Sequence, residues 1–180
     1  MKKSKLMILI ALSVVLFFFL SFQLSIHRNI KKGAIPEDSA YIRKNIDVEH
    51  FTKINLDHYI NVVFKQDSTQ QILINAPENL MPYIDVQVLD NELTIKKTKR
   101  TSSEDSIVIL ITNNQLDQLV TNTGVSFETK GKVHGKNLQL EFGSNCTGRL
   151  ELSYSSVMCK TAKNATIKIT GNSNEIDFSN

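Results

Sequence analysis

The sequence predicts an all-β protein and, within that class, a β-solenoid, in which the short strands of successive turns pair along one axis. Three observations support this. Apolar and polar residues alternate in short segments, no segment of 11 or more residues keeps a helical period, and hydrophobic positions in the C-terminal half recur every 19 residues. An antiparallel sandwich whose hairpins recur at a similar spacing is the alternative fold.

Residues 1–26 are predicted to export the chain. Lys2, Lys3 and Lys5 precede 17 uncharged, mostly apolar residues at positions 6–22. This pattern is typical of a signal peptide or of one membrane-spanning helix, and no A-x-A cleavage sequence follows it. A cleaved signal and a retained membrane anchor both stay open, and both place the remainder in the periplasm or at the cell surface.

The same three lysines account for the positive net charge. The chain has 21 Lys and Arg against 18 Asp and Glu, so the sequence after Lys5 is balanced at 18 against 18. A balanced body lacks the overall basic field on which nucleic-acid binding depends. We therefore expect no nucleic-acid partner.

Residues 27–46 are predicted to be a linker, because Gly33, Pro36 and mixed charges replace any hydrophobic period. Residues 47–180 are predicted to form a single β-solenoid domain. Its first half alternates apolar and polar residues around positions 60–64, 72–74, 84–88, 93–95 and 107–111, with polar turns between these segments. One helical turn fits near Pro82, which limits its length.

The 19-residue spacing is clearest over residues 119–180. Four rows of apolar or small residues share it: Leu119, Leu138, Val157 and Ile176; Leu140, Cys159 and Phe178; Gly124, Gly143 and Ala162; Phe127, Cys146 and Ala165. Parallel strands about 4.8 Å apart would stack each row into a continuous core. The Gly124 row suits a sharp corner, and a further row of Ser126, Asn145 and Asn164 suits an amide ladder.

The two cysteines, Cys146 and Cys159, fall in different rows of adjacent turns. We expect two small core residues with free thiols rather than a disulfide, because the rows hold the two positions apart.

An outward row carries the one candidate binding site. Lys130, Arg149 and Lys168 share the 19-residue spacing between inward positions. The row is either a set of solvated charges or a site for an acidic partner, such as a uronic-acid glycan, a lipopolysaccharide phosphate or another envelope component. The sequence shows no catalytic, cofactor or metal-ligand motif.

The sequence also resembles a known family, the putative auto-transporter adhesin, head GIN domain proteins of bacterial envelopes. The resemblance covers residues 51–180 and rests on the sequences FTKI at 51–54 and INVVF at 60–64, on Leu93-Thr94-Ile95 and on the glycine-marked turns. It implies a right-handed parallel β-helix and an adhesin-like role without established catalytic residues.

The expected function is therefore binding by an exported envelope protein, with glycans or proteins as partners. A carbohydrate-active β-helix enzyme similar to polysaccharide lyases, or a structural subunit of the envelope, are the alternatives. The last predicted strand, at residues 176–178, leaves an open end. We expect a cap from the N-terminal half or further sequence to cover it, in preference to an end-to-end homodimer.

Overall fold

The structure is a computed structural model and describes residues 40–99 and 107–179, with side chains up to residue 172. The predicted signal or anchor segment 1–26 and residues 27–39 of the predicted linker lie outside the described residues. The described ranges contain no helix with the length and hydrophobicity of a membrane span.

The described residues form an all-β structure, as the sequence predicts, and a single 3₁₀ turn at Met81–Tyr83 lies where one helical turn is expected. The strands are β1 (Tyr41–Ile46), β2 (Lys53–Asp57), β3 (Asn61–Gln66), β4 (Gln71–Pro77), β5 (Ile84–Leu89), β6 (Glu92–Lys97), β7 (Val108–Asn113), β8 (Gln118–Thr123), β9 (Ser126–Thr129), β10 (Val133–Ser144), β11 (Thr147–Thr161) and β12 (Thr166–Ser179).

These strands belong to one sheet, which curls into an open half-barrel. We call its two sides the first wall, with strand order β5-β6-β2-β8-β10, and the second wall, with order β1-β4-β7-β3-β9. The long strand β11 pairs with β10 on the first wall and with β9 on the second, and β12 pairs with β11. The walls therefore meet along β11 and β12.

Strand β1 extends the folded body beyond its predicted boundary at residue 47. Residues 41–46, assigned to the linker from sequence, pair antiparallel with β4 from Tyr41–Pro77 to Ile46–Ile72. The linker prediction is wrong for this segment. Its residues are mostly exposed, which is typical of an edge strand with little hydrophobic signal.

The core lies on the concave side and consists of apolar rows that run across the strands. On the first wall, parallel pairing aligns Leu93, Ile54, Leu119, Leu140 and Cys159, and each is at most 2% exposed. On the second wall, the rings of Phe64 and Phe127 stack with their centroids 6.4 Å apart. Alternation turns every second side chain of these strands into the core.

The 19-residue spacing holds only for part of the stack. It relates β10 to β11 and β11 to β12, where Leu138 pairs with Val157 and Val157 with Ile176. Leu119, however, pairs with Leu140 and not with Leu138, which is a spacing of 21 residues. A uniform 19-residue turn from residue 119 onward is therefore wrong for its first turn.

The two additional residues lie in the loop between β9 and β10. Glu128 pairs with Arg149 and Val133 with Leu152, so five residues of the earlier turn occupy the position of three in the next. Gly131 is at the centre of this loop, with a φ of 83°, and a Cβ atom added to it would meet no other atom within 4 Å. An exposed loop absorbs an insertion without disturbing the paired strands.

Because of the 21-residue spacing, Gly124 aligns with Asn145 at the corner between the walls, and not with Gly143 as predicted. Gly124 and Asn145 both adopt left-handed backbone, with φ of 64° and 58°. The Asn164 side chain donates a hydrogen bond of 2.8 Å to the Asn145 side chain, so the predicted amide contact is confirmed for this pair. Ser126 is not part of it, because it pairs with Thr147 two residues further on.

The N-terminal half closes one end of the stack. The hairpin β5–β6 borders the first wall and turns at Asp90 and Asn91, which have positive φ of 51° and 61°, as a two-residue hairpin turn requires. The antiparallel strands β1 and β4 border the second wall. Strand β12 lies at the opposite end of both walls.

Cys146 and Cys159 are free and buried, in agreement with the prediction. Burial raises the pKa of the Cys159 thiol above its ordinary value. Both side chains serve as small apolar residues of the core.

Gly143 tests the packing between β8 and β10. A Cβ atom at this position would lie 1.9 Å from the backbone oxygen of Asn122, whereas at Gly131 it would meet no atom within 4 Å. We expect Gly143→Ala to lower the free energy of unfolding by about 3 kcal/mol, the upper part of the range for overpacking. Gly131→Ala should cost about 1 kcal/mol, from its left-handed backbone alone. Urea denaturation of both variants measures the difference, and equal losses would contradict the register of β8 and β10.

Candidate ligand-binding surface

The outward side of the first wall carries a row of polar side chains that backbone pairing holds in line. Lys53 pairs with Gln118, Gln118 with Gln139, and Gln139 with Met158. Each of these residues neighbours an inward residue of the core, so alternation directs it to the outside of the sheet. We call Lys53, Gln118, Gln139 and Met158 the outer row.

Two shallow depressions adjoin the outer row and share Gln118 and Gln139. The larger has a volume of about 520 Å³ and is also lined by Lys53, Asp117, Lys136 and Asn137. The smaller has a volume of about 160 Å³ and continues toward Met158, with Glu141 and Lys160 at its side. Together they form a polar groove that crosses β2, β8, β10 and β11.

Asp117 is held in place at the rim of the larger depression. Its backbone N–H donates to the Thr52 oxygen and its carbonyl accepts a bond of 2.9 Å from the Gln139 N–H, so it extends the pairing ahead of the first residue of β8. Its two carboxylate oxygens accept bonds of 2.9 and 2.8 Å from the Gln115 side chain. This carboxylate is therefore positioned before any ligand arrives.

Tyr154 supports this rim from the core side. Its hydroxyl donates a hydrogen bond of 2.7 Å to the backbone oxygen of Leu116, the residue before Asp117. Burial, and secondly the negative charge of Asp117, raise the pKa of Tyr154 well above its ordinary value of 10.0. Gly135, the pairing partner of Tyr154 on β10, leaves room for the ring, since a Cβ atom there would lie 2.2 Å from it.

The predicted basic row is only partly formed. Arg149 and Lys168 are paired neighbours on the outside of the second wall. Lys130 does not join them, because it lies in the loop that contains the two inserted residues. The neighbour of Arg149 on β9 is instead Glu128, whose carboxylate oxygen is 4.0 Å from the guanidinium. The assignment of Lys130 to this row is wrong, while binding by Arg149 and Lys168 stays a prediction.

No group of three or more His, Cys, Asp or Glu side chains is arranged to hold a metal ion in the part of the chain that the structure describes. The carboxylates near the groove belong to different depressions, Asp117 to the larger and Glu141 to the smaller. What the groove offers is a set of hydrogen-bonding groups with both signs of charge.

The outer row was not found from the sequence. Gln118 and Gln139 are 21 residues apart, and Lys53 precedes Gln118 by 65 residues. Neither distance is a multiple of 19, so a uniform 19-residue period assigns the three residues to different rows. The signal that could have found the row is the apolar residue that follows each of them, Ile54, Leu119 and Leu140, which together form one row of the core.

The family is established by comparison with known proteins. Residues 50–180 match the family model described as putative auto-transporter adhesin, head GIN domain. The chain belongs to this family. The resemblance predicted from the sequence is thereby confirmed. A comparison with curated proteins gives no match.

Several solved structures have a similar fold. A putative adhesin from Parabacteroides distasonis is 20% identical, with 78% of this chain and 70% of that chain covered and a TM-score of 0.57. A putative adhesin from Parabacteroides merdae is 17% identical, with 78% of both chains covered and a TM-score of 0.57. A putative lipid binding protein from Parabacteroides distasonis is 15% identical, with coverage of 76% and 68% and a TM-score of 0.57. At these identities the likeness establishes a shared fold.

Tyr154→Phe tests the support of the rim. The change removes only the hydroxyl and leaves the Leu116 carbonyl without its partner, so we expect a loss of about 1–3 kcal/mol in the free energy of unfolding. Tyr59→Phe, at a side chain that is half exposed, should change stability by less than about 0.5 kcal/mol.

The pH dependence gives a second readout of the same hydroxyl. Because the pKa of Tyr154 is raised in the folded state, its contribution is complete below pH 10.0, the ordinary value, and is lost as the pH rises above it. Thermal unfolding between pH 8 and 11 should show this loss for the wild type and a smaller one for Tyr154→Phe. Identical pH profiles would contradict the role assigned to Tyr154.

Proposed function

We propose that this chain is an adhesin-like binding module of the bacterial envelope, which holds a hydroxyl-rich glycan along the outer row. Membership of the adhesin family supports the binding role. The observation that carries the ligand class is the alignment of Lys53, Gln118 and Gln139 on adjacent strands above a polar groove.

The chemistry of the groove suits sugar hydroxyls. Each glutamine amide offers two N–H donors and a carbonyl acceptor, while a hydroxyl is both donor and acceptor. The strands hold successive amides about 4.8 Å apart, so an extended chain of sugars can meet one amide after another. Asp117 adds a fixed acceptor at one side of the groove.

The same lining argues against a lipid or a tightly held protein. Sites for apolar molecules are lined mostly by hydrophobic and aromatic side chains, and the centres of protein interfaces are enriched in aromatic residues and depleted of charges. Here the larger depression is lined by charged and amide residues alone. The smaller one also includes Leu119, Leu140 and Met158, but the two leucines are buried in the core and only Met158 of the three is exposed, at 46%.

Export belongs to the same proposal. The lysines at positions 2, 3 and 5 and the uncharged segment 6–22 support delivery to the periplasm or cell surface, by either a cleaved signal or a retained anchor. Retention would tether the binding module to the membrane through residues 1–26.

The finer fold assignment, a right-handed parallel β-helix, is also proposed. Parallel pairing of β2, β8, β10, β11 and β12 at related registers supports it. The antiparallel strands β1, β4 and β5 and the unequal turn lengths restrict it to the part of the sheet from β8 onward. A crystal structure in which these turns wind in the opposite sense would reject it.

The double variant Gln118→Ala/Gln139→Ala tests the outer row. Each amide hydrogen bond contributes about 0.5–1.5 kcal/mol, so losing two, about 1–3 kcal/mol in total, should weaken glycan binding about fivefold to 150-fold. The measurement is the binding of the full-length chain, in detergent, to a panel of labelled glycans, followed by analysis of the glycans for cleavage.

The matched control is Gln87→Ala, at an exposed glutamine of β5 beyond the groove. It should bind as the wild type does. A double variant with unchanged binding would remove the outer row from the proposal, and absence of any glycan ligand would reject the ligand class. Shortened glycans would instead favour the carbohydrate-active enzyme.

Arg149→Glu tests whether the second wall adds contacts to acidic glycans. Reversal of one exposed charge is worth about 1 kcal/mol at low salt, which corresponds to about fivefold in affinity. We expect this loss for uronic-acid glycans and none for neutral ones, and the difference from wild type should disappear in high salt. Equal losses on both ligand classes would show that the variant acts through folding rather than through charge.

A further inference from the structure

Strand β12 leaves one of its long edges uncovered. It pairs with β11 from Thr147–Thr166 to Lys160–Ser179, and no other strand of the described part of the chain pairs with it. Its inward residues Ile167 and Ile169 are only half-buried, whereas Leu150, the pairing partner of Ile169, is 0% exposed. Among residues 40–99 and 107–179, the core is therefore closed on the β11 side of β12 and open on the other.

The N-terminal half does not supply the expected cap within residues 40–99. Its strands β1, β4, β5 and β6 border the opposite ends of the two walls. The expectation that this half folds back over the last turn is wrong for those residues, because they close the other end of the stack.

The backbone groups along the uncovered edge can be assigned from the pairing. The N–H of Thr166 donates to the Cys146 oxygen at 2.9 Å, so outward residues of β12 direct their backbone groups to the preceding turn. The same direction holds on the first wall. Gln139 lies in the register row that contains Asp177, and its N–H donates to the Asp117 oxygen of the preceding turn. By alternation, Ile167, Ile169, Ile176 and Phe178 direct their N–H and C=O groups to the free edge.

We propose that this edge binds a second copy of the same chain, with the two β12 strands paired antiparallel about a twofold axis between Asn172 and Ser173. In this register Ile167 lies opposite Phe178 of the partner subunit, and Ile169 lies opposite Ile176 of the partner subunit. All four positions are ones whose backbone groups face the edge, so they form the hydrogen-bonded pairs of an antiparallel ladder.

The outward positions are complementary in charge. The same register sets Lys168 opposite Asp177 of the partner subunit, and the twofold axis repeats this pair on the other side. Opposite charges at directly opposed positions stabilise an antiparallel pair, and like charges destabilise it. By register position, apolar residue types are thus aligned with apolar ones and a basic type with an acidic one, as a self-complementary edge requires.

The bend in β12 agrees with this axis. Gly171, with a φ of 112°, lies between the part of β12 on the second wall and the part on the first wall. A twofold axis through the bend exchanges these two parts, so the curved edge of one copy matches the curved edge of the other. Long exposed edge strands otherwise favour uncontrolled association, and closed pairing with one copy satisfies the edge.

Cysteine crosslinking in whole cells that express the full-length sequence tests the register, whether residues 1–26 are cleaved or retained. In a non-hydrogen-bonded antiparallel pair the Cα atoms are about 4.5 Å apart, a distance that a disulfide spans. We expect Lys168→Cys/Asp177→Cys to form a covalent dimer on mild oxidation, at least fivefold more than either single variant. In the single variants the two introduced cysteines would be about 30 Å apart along the strands.

Thr170→Cys/Glu175→Cys probes a second opposed pair and protects the test against a local folding defect in the first variant. The buried native cysteines make the wild type the control for background crosslinking. Covalent dimers in both double variants support the proposal. The proposal is overturned if neither double variant forms a covalent dimer, which would show a free edge or another partner. It is also overturned if the single variants or the wild type crosslink equally well, which would show another register.

Discussion

Parallel backbone pairing that keeps one apolar row in register is the interaction on which the rest of the structure depends. Leu93, Ile54, Leu119, Leu140 and Cys159 come from five strands, yet they form a single buried row. Full burial of an aliphatic side chain contributes about 1.5–3 kcal/mol, and a slip by one residue would turn it to solvent. The register is therefore fixed from inside, and the outer row inherits its alignment from the core.

Alternation in the sequence predicted most strands, including β3 to β7, because apolar residues line one face of each, a face that is buried in β3, β4, β6 and β7 and half-buried in β5. It could not predict the offset of the first turn. Leu138 and Leu140 are both apolar, so either can be matched to Leu119, and the spacing of 19 from later turns favoured the wrong one. The two inserted residues lie around Gly131 in an exposed loop, where no buried side chain marks the change.

The candidate site was less predictable for the same reason. Gln118, Gln139 and Lys53 are ordinary exposed residue types, and only the register of the core brings them together. Arg149 and Lys168 were matched correctly because their turns do have the spacing of 19. Lys130 does not belong to this row, because Glu128 is the neighbour of Arg149 on β9. The predicted row of three cations is therefore a pair of cations beside a carboxylate.

Pairing of two β12 strands would have a consequence for the binding surface. Asp177 continues the outer row beyond Met158, and Lys168 continues the row of Arg149. Setting Asp177 against Lys168 of the partner subunit joins the amide row of one copy to the basic residues of the other. A long glycan could then contact both in one pass, and the second contact would be intramolecular, with the gain in affinity that such linkage gives. Pairing at the free edge of β12 would thus lengthen the binding surface that begins at the outer row.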